Sequence, residues 1–264
     1  MKSSIQYRGG NLTYLVQGKG RTIVLLHGFL GAKEIWKKYI PRLSKHFKVV
    51  VPDLPGHGES ECIGYVHNME LLAEGIKALL IHLNIRKVVL AGHSLGGYVS
   101  LAFSEKYPDS VLGLVLLNST ARGDSAKRLK SRNQLIELVK KDRKRAIGLL
   151  VPTFFNIKRR YTHLQIKSYL KMAHKCDEQA IIATIEGMKN RKEREIVLKF
   201  APFPFLFIIG EEDSILQKED LIKQARLSIK GAYEVIENSS HMSLLEKEEN
   251  VFKALKTFAK KSLS

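Results

Sequence analysis

The chain has 264 residues, of which 44% are hydrophobic, and a formal net charge of +18. The length is typical of one domain with an insertion, and the hydrophobic share is that of a globular protein. The longest apolar stretches, residues 111–117 and 200–209, are shorter than the roughly 18 residues that a membrane-spanning helix needs. The first residues contain no apolar h-region, so we expect no signal peptide. Cys62 and Cys176 offer neither a disulfide framework nor metal-ligand spacing, and a cytoplasmic location is the default expectation.

The positive charge is concentrated in one part of the chain. Residues 121–200 contain 21 Lys and Arg against 8 Asp and Glu. Such a segment can bind nucleic acid or an anionic membrane surface, can steer an anionic small-molecule substrate toward a cleft, or can be a lysine-rich surface without a partner. No zinc-finger spacing or RNP-like aromatic stretch is present, so we expect no specific nucleic-acid partner. We favour the surface interpretation, with substrate steering as the alternative.

The first half of the chain alternates between short strands and helices. A hairpin with a glycine-rich turn comes first, and continuous apolar runs then predict strands buried on both faces. The predicted strands span residues 4–7, 12–17, 21–26, 47–51, 87–91 and 111–117, and the predicted helices span residues 33–46, 69–83 and 98–107. This alternation is typical of a parallel, doubly wound α/β sheet.

After residue 118 the alternation stops, and the following stretch has helical patterns but no convincing strand. Because this stretch lies between two strands of the predicted sheet, we expect an all-helical lid at residues 120–199 and a core of residues 1–119 and 200–264. The helical patterns fall at residues 129–139, 164–172 and 179–188. The core then continues with predicted strands at 203–209 and 232–236 and predicted helices at 218–228 and 244–258.

Residues 92–96, Gly-His-Ser-Leu-Gly, form a G-x-S-x-G motif between a predicted strand and a predicted helix. A nucleophile elbow requires this context. The small neighbours permit a strained turn residue, here Ser94, whose hydroxyl then projects above the sheet. The amide of Leu95 lies at a helix N-terminus, where free N–H groups favour developing negative charge. A plain glycine-rich turn shares this pattern, so the rest of the chain must decide.

Two later residues complete a candidate catalytic set. A serine hydroxyl needs a histidine to take its proton and an acid to orient that histidine. Asp213 and His241 each come just after a predicted strand, so in a parallel sheet they share one edge with Ser94. Glu211 and Glu212 are the alternative acids.

Five motifs carry a resemblance to a known family. They are His-Gly-Phe at residues 27–29, Asp-Leu-Pro-Gly-His-Gly-Glu-Ser at 53–60, Gly-His-Ser-Leu-Gly-Gly at 92–97, Gly-Glu-Glu-Asp at 210–213 and Ser-His at 240–241. The chain resembles the α/β-hydrolase fold superfamily, and within it the small cap-bearing serine esterase-like hydrolases, over nearly its whole length. The resemblance implies a mostly parallel eight-stranded sheet flanked by helices, with an all-helical lid after the sixth strand. Ser240 departs from the family, which usually has glycine there.

The resemblance also implies roles for individual residues. Ser94 would be the nucleophile, His241 the base and Asp213 the orienting acid. The backbone N–H groups of Phe29 and Leu95 would form the oxyanion hole. No metal-binding or nucleotide-binding motif appears, so we expect no metal and no cofactor. We predict a serine hydrolase that cleaves a carboxylic ester or thioester of a small to medium substrate through an acyl-enzyme.

Two other interpretations stay open. Residues 27–31 also resemble the SHCHC synthase of menaquinone biosynthesis, a lyase, and the chain is similar to C–C bond hydrolases and enol-lactonases that would use the same triad. A catalytically silent binding protein is the third class, and the intact Ser-Asp-His set argues against it. We interpret His27, His57 and His93 as structural residues, and Trp36 as core or pocket lining.

Overall fold

An eight-stranded, mostly parallel sheet runs through the middle of the protein. The computed structural model describes residues 2–156 and 162–263, so residues 157–161 of the predicted lid lie outside the described residues. The strands are β1 (Lys2–Tyr7), β2 (Gly10–Gln17), β3 (Thr22–Leu26), β4 (Lys48–Pro52), β5 (Val88–His93), β6 (Val111–Leu117), β7 (Phe205–Gly210) and β8 (Gly231–Ile236). The sheet order is β1-β2-β4-β3-β5-β6-β7-β8. The predicted eight-stranded sheet is confirmed.

The direction of the strands decides where the site forms. The β1–β2 and β2–β4 pairs are antiparallel, whereas β3 and every strand after β4 pair in parallel. Strands β3 and β5 are buried along their whole length, as expected of apolar runs in the centre of a parallel sheet. The carboxyl ends of β5, β6, β7 and β8 therefore meet at one edge of the sheet, and the loops that follow them lie together there.

Helices flank this sheet on both sides. Helix α3 contacts β3, β5 and β6, and α11 contacts β5 to β8. The helices are α1 (Ile40–Leu43), α2 (Met69–His82), α3 (Leu95–Lys106), α4 (Ala126–Lys141), α5 (Arg143–Leu150), α6 (Thr162–Ala173), α7 (Glu178–Lys189), α8 (Glu195–Phe200), α9 (Lys218–Ala225), α10 (Ser243–Glu246) and α11 (Glu248–Leu263).

Two predicted helices are interrupted in the structure. The helix predicted at residues 33–46 is a 3₁₀ helix (Lys33–Trp36) followed by α1. Pro41 has no N–H to donate inside a helix, so it occupies a first turn instead, and the prediction of one continuous helix was wrong. The apolar pattern was read correctly, because Trp36 and the other apolar positions are buried. The last predicted helix is divided into α10 and α11 at Lys247, whose φ of −133° is not helical.

The segment between β6 and β7 contains helices α4 to α8 and, within the part that the structure describes, no strand. Side-chain caps mark three of the helix starts: Ser125 accepts from the amide of Arg128, Asp142 from that of Arg145, and Asp177 from that of Ala180. Helices α5 and α8 were not predicted, since each has only eight residues or fewer and shows little periodicity. In the described ranges no helix is both long and apolar enough to cross a membrane.

Candidate active site

Ser94 occupies a strained turn between β5 and α3. Its backbone has φ 50° and ψ −113°, a region that costs a non-glycine residue about 1–3 kcal/mol. The turn is tight enough to demand glycine on both sides. A Cβ on Gly92 would lie 2.2 Å from the carbonyl oxygen of Gly96, and one on Gly96 would lie 2.5 Å from that of Leu26. The sequence therefore builds the sharp strand-to-helix turn that lifts the Ser94 hydroxyl out of the sheet.

A chain of hydrogen bonds joins Ser94, His241 and Asp213. The Oγ of Ser94 lies 2.9 Å from Nε2 of His241, and Nδ1 of His241 lies 2.8 Å from Oδ2 of Asp213. The Asp213 side chain is fully buried, and that of His241 is 5% exposed. Because Nδ1–H donates to the carboxylate, Nε2 is left as the acceptor that faces the serine hydroxyl. The structure thus brings together three residues that are 119 and 28 positions apart.

The carboxylate of Asp213 is held by groups from two loops. Its Oδ1 accepts from the amides of Ile215 at 2.8 Å and Leu216 at 3.1 Å, and its Oδ2 accepts from Nδ2 of Asn118 at 2.9 Å. Burial alone would raise the pKa of Asp213, but the charge of His241 and these hydrogen bonds outweigh it and hold the pKa below its usual value. Asp213 is therefore an anion at neutral pH.

Asn118 is a site residue that the sequence reasoning missed. It follows β6 directly, and its φ of 44° turns its side chain back toward Asp213. The sequence contained a signal for this role. A polar side chain that directly follows a parallel strand lies at the same edge of the sheet as the residues that follow the neighbouring strands, here Ser94 and Asp213. Ser243 at the start of α10 donates in turn to Oδ1 of Asn118 and fixes the orientation of its amide.

The two expected oxyanion donors lie on either side of Ser94. The amide of Leu95 begins α3, and Phe29 belongs to the loop that follows β3. This loop passes close to the serine, since a Cβ on Gly28 would lie 3.3 Å from Cβ of Ser94. Within residues 2–156 and 162–263, neither amide donates a hydrogen bond to another protein group. Tyr169 of α6 donates to the Phe29 carbonyl oxygen at 2.8 Å and steadies the loop.

Three further histidines are buried around the site and make structural contacts. Nδ1 of His27 donates to the Gly28 carbonyl at 2.8 Å while its Nε2 accepts from the amide of Leu54, which ties together the loops after β3 and β4. Nε2 of His93 donates to the backbone carbonyl of His241 at 2.9 Å. Burial lowers the pKa of His93 to about 3 and that of His57 to about 3, so both stay neutral.

The alternative acids differ from Asp213 in their burial. Glu211 and Glu212 are exposed, and Glu211 accepts from the amide of Asn238.

Ser240, where the family usually has glycine, has a buried hydroxyl 2.9 Å from both the Phe154 carbonyl and Oε1 of Glu246. Its side chain therefore anchors the histidine loop to the segment between β6 and β7.

A cavity of about 630 Å³ opens above Ser94 and His241. Its floor comes from the core, and its walls come from the segment between β6 and β7, in particular α4, α5 and the 3₁₀ helix Val151–Phe154. Most of the walls are apolar, with Leu135, Leu138, Ala146, Leu149, Leu150 and Met188 among the lining residues. Trp36 is not among them and lies in the core against Tyr39. The described residues contain no cluster of three or more His, Cys, Asp or Glu that could hold a metal ion.

Comparison with known proteins identifies the family. Residues 21–248 match the family described as alpha/beta hydrolase fold. This chain belongs to that family. This alpha/beta hydrolase is similar to the dihydrolipoyllysine-residue acetyltransferase component of the acetoin cleaving system of Pseudomonas putida. The two are 30% identical over 261 residues, and this match covers 96% of this chain and 68% of that protein.

Two more similar proteins cover almost the whole length. This chain is 26% identical over 251 residues to (E)-2-((N-methylformamido)methylene)succinate hydrolase of Acinetobacter baylyi. The match covers 93% of this chain and 92% of that protein. A malate-bound thermophilic esterase from Thermogutta terrifontis superimposes with a TM-score of 0.93 and 29% identity, and the match covers 100% of both chains. This alpha/beta hydrolase is therefore an enzyme with esterases and hydrolases among its relatives.

Proposed function

We propose that this enzyme is a serine hydrolase that cleaves a carboxylic ester or thioester of small to medium size. Ser94 is the nucleophile, His241 the general base and acid, and Asp213 the residue that orients and stabilises the histidine. The observation that carries the proposal is the pair of hydrogen bonds of 2.9 and 2.8 Å that joins these three side chains. The esterase from Thermogutta and the hydrolase from Acinetobacter lend it support.

The reaction follows from this geometry in two halves. Oγ of Ser94 attacks the acyl carbon while its proton moves to Nε2 of His241, and the oxyanion accepts hydrogen bonds from the amides of Phe29 and Leu95. His241 then gives the proton to the departing alcohol or thiol, which leaves an acyl-enzyme. In the second half, water loses a proton to His241, attacks the acyl carbon and releases the acid, and the proton returns to Ser94. The ionised Asp213 stabilises the imidazolium in both halves.

A panel of aryl esters with acyl chains of increasing length tests this proposal. We expect a kcat of roughly 1 s⁻¹ or more for short and medium chains, and a decline once the acyl chain becomes too long for the cavity of about 630 Å³. Pyruvate release from the menaquinone-pathway intermediate is assayed in parallel. Pyruvate release without ester turnover would assign the triad to a lyase and overturn the proposal.

Two further expectations belong to the same proposal. Residues 120–199 act as a lid over the core of residues 1–119 and 200–264, which accords with their share of the cavity walls. The enzyme works in the cytoplasm, which accords with its two free cysteines, Cys62 and Cys176.

A further inference from the structure

Three basic side chains of α4 line the cavity that contains Ser94. They are Lys127, Arg128 and Arg132, and we call them the α4 basic wall. Among the described residues that line this cavity there is no Asp or Glu. The other lining residues are apolar side chains, hydroxyl groups and the histidines of the site. A cavity with cationic side chains on one wall and no acidic ones has an unbalanced charge.

One buried carboxylate lies beside this wall, and it neutralises only part of the positive charge there. The side chain of Asp124 is fully buried, and Arg128, Arg132 and Arg191 all approach it. Arg132 donates to Oδ2, Nη1 of Arg191 lies 2.7 Å from Oδ1, and Nε of Arg128 lies 3.9 Å from Oδ1. Three guanidinium groups against one carboxylate leave a surplus of two positive charges. Backbone carbonyls accept hydrogen bonds from Arg191 and Arg128 without cancelling this charge, which attracts a further anion.

The basic wall stands next to the catalytic groups. Nη2 of Arg128 donates to the carbonyl oxygen of Ile215 at 2.5 Å, and the amide of the same Ile215 donates to Asp213. The Arg191 guanidinium lies 4.2 Å from the ring centre of Tyr98, which lines the cavity and follows the elbow. Because the wall and Ser94 line the same cavity, one molecule can place an anionic group at the wall and another group at Ser94.

Other basic residues of the same segment are ordinary surface charges. Lys130 and Lys140 of α4 are exposed and do not line the cavity. They fit the interpretation of a lysine-rich surface, whereas the α4 basic wall fits that of substrate binding. The large positive charge of residues 121–200 thus has two separable parts.

We propose that the enzyme prefers esters that carry a carboxylate away from the scissile bond, and that Arg128 with its neighbours on the α4 basic wall binds this carboxylate. The proposal rests on the proposed function, because the ester carbonyl must lie at Ser94. Arg128 retains donor groups beyond those used for Ile215, and a guanidinium pairs with a carboxylate through two parallel hydrogen bonds. The apolar side chains of Leu135 and Leu138 offer a surface for the hydrocarbon chain between the two groups.

Two matched pairs of esters test the preference with the wild-type enzyme. Methyl hydrogen adipate is compared with methyl hexanoate, and the acetate ester of ω-hydroxypentanoate with pentyl acetate. Each pair differs in a carboxylate that replaces a terminal methyl group, on the acyl side in the first pair and on the alcohol side in the second. We expect kcat/KM for one of the anionic esters to exceed that of its neutral partner by about tenfold or more, mainly through KM. The pair that shows the preference tells which side of the ester faces the wall.

Charge-removing variants locate the preference. We expect Arg128→Gln to lower the ratio of anionic to neutral kcat/KM by about tenfold. Lys127→Gln removes the charge of an exposed residue with no ion pair in the described part of the chain. It should lower the ratio of anionic to neutral kcat/KM by a smaller factor, and it tests the same wall if Arg128→Gln does not fold. Lys130→Gln removes one charge from the same helix outside the cavity and should leave the ratio unchanged.

The possible failures are distinguishable. If the neutral esters turn over and neither anionic ester is preferred, or if Arg128→Gln and Lys130→Gln change the ratio equally, the carboxylate subsite is wrong and the proposed function stands. If none of the four esters is hydrolysed, the proposed function fails and the subsite fails with it.

Discussion

Ser94→Ala is expected to abolish ester hydrolysis almost completely, with kcat reduced by about 10⁴–10⁶-fold. The variant keeps the proposed oxyanion donors, the cavity and the His241–Asp213 pair, and it loses only the oxygen that we propose attacks the acyl carbon. Alanine also fits the site, because it is smaller than serine and leaves the turn between Gly92 and Gly96 unobstructed. Steady-state hydrolysis of a short-chain aryl ester measures the effect, with circular dichroism to verify folding.

Ser104→Ala is the matched control for this variant. Ser104 lies in α3, the helix that begins at the elbow, is 2% exposed, and its Oγ has no hydrogen-bond partner in the described residues. Its removal should leave kcat within about twofold of wild type, since no interaction is lost at the site. Equal activity of Ser94→Ala and Ser104→Ala would refute the role of Ser94.

Asp213→Asn should lower kcat by about 10³–10⁴-fold without unfolding the protein. The amide keeps the size of the carboxylate but removes the negative charge that, in the proposed mechanism, stabilises the imidazolium of His241. It also lets an N–H face Nδ1, so that the histidine takes the wrong tautomer and no longer accepts the proton of Ser94. Ester hydrolysis at saturating substrate measures this loss directly.

The rival acids provide controls for the same experiment. Glu211→Gln and Glu212→Gln each remove a negative charge within two residues of Asp213, from side chains that are exposed. Both variants should keep activity within about threefold of wild type, because a solvated charge is strongly screened. A large loss in Glu212→Gln together with a small one in Asp213→Asn would transfer the role of orienting acid to Glu212.

Much of the fold could be predicted because the core has a regular pattern. Apolar runs such as β3 and β5 alternate with helical periodicity, and that alternation determines a parallel sheet. The candidate site follows from the same pattern, since Ser94, Asp213 and His241 all come at the carboxyl ends of parallel strands. Candidate site residues that directly follow parallel strands could therefore be predicted from the sequence alone.

Features that depend on contacts between distant segments were not accessible in the same way. The helix predicted at residues 33–46 overlooked Pro41, a local signal that periodicity outweighed. The role of the Ser240 hydroxyl depends on its contacts with Phe154 and Glu246, which lie 86 and 6 positions away in the sequence. The surplus of charge at Asp124 likewise needs the spatial meeting of α4 with Arg191, and a count of basic residues could not separate it from surface lysines.

The most direct test of the central claim is mass-spectrometric mapping of a fluorophosphonate adduct on the native enzyme. A serine that a neighbouring histidine activates and two amides assist reacts with this reagent, whereas ordinary serine hydroxyls do not. We predict one adduct per chain, on the peptide that contains Ser94, and no adduct in His241→Ala. An enzyme that hydrolyses esters but remains unlabelled, or carries the adduct on another residue, would contradict the account.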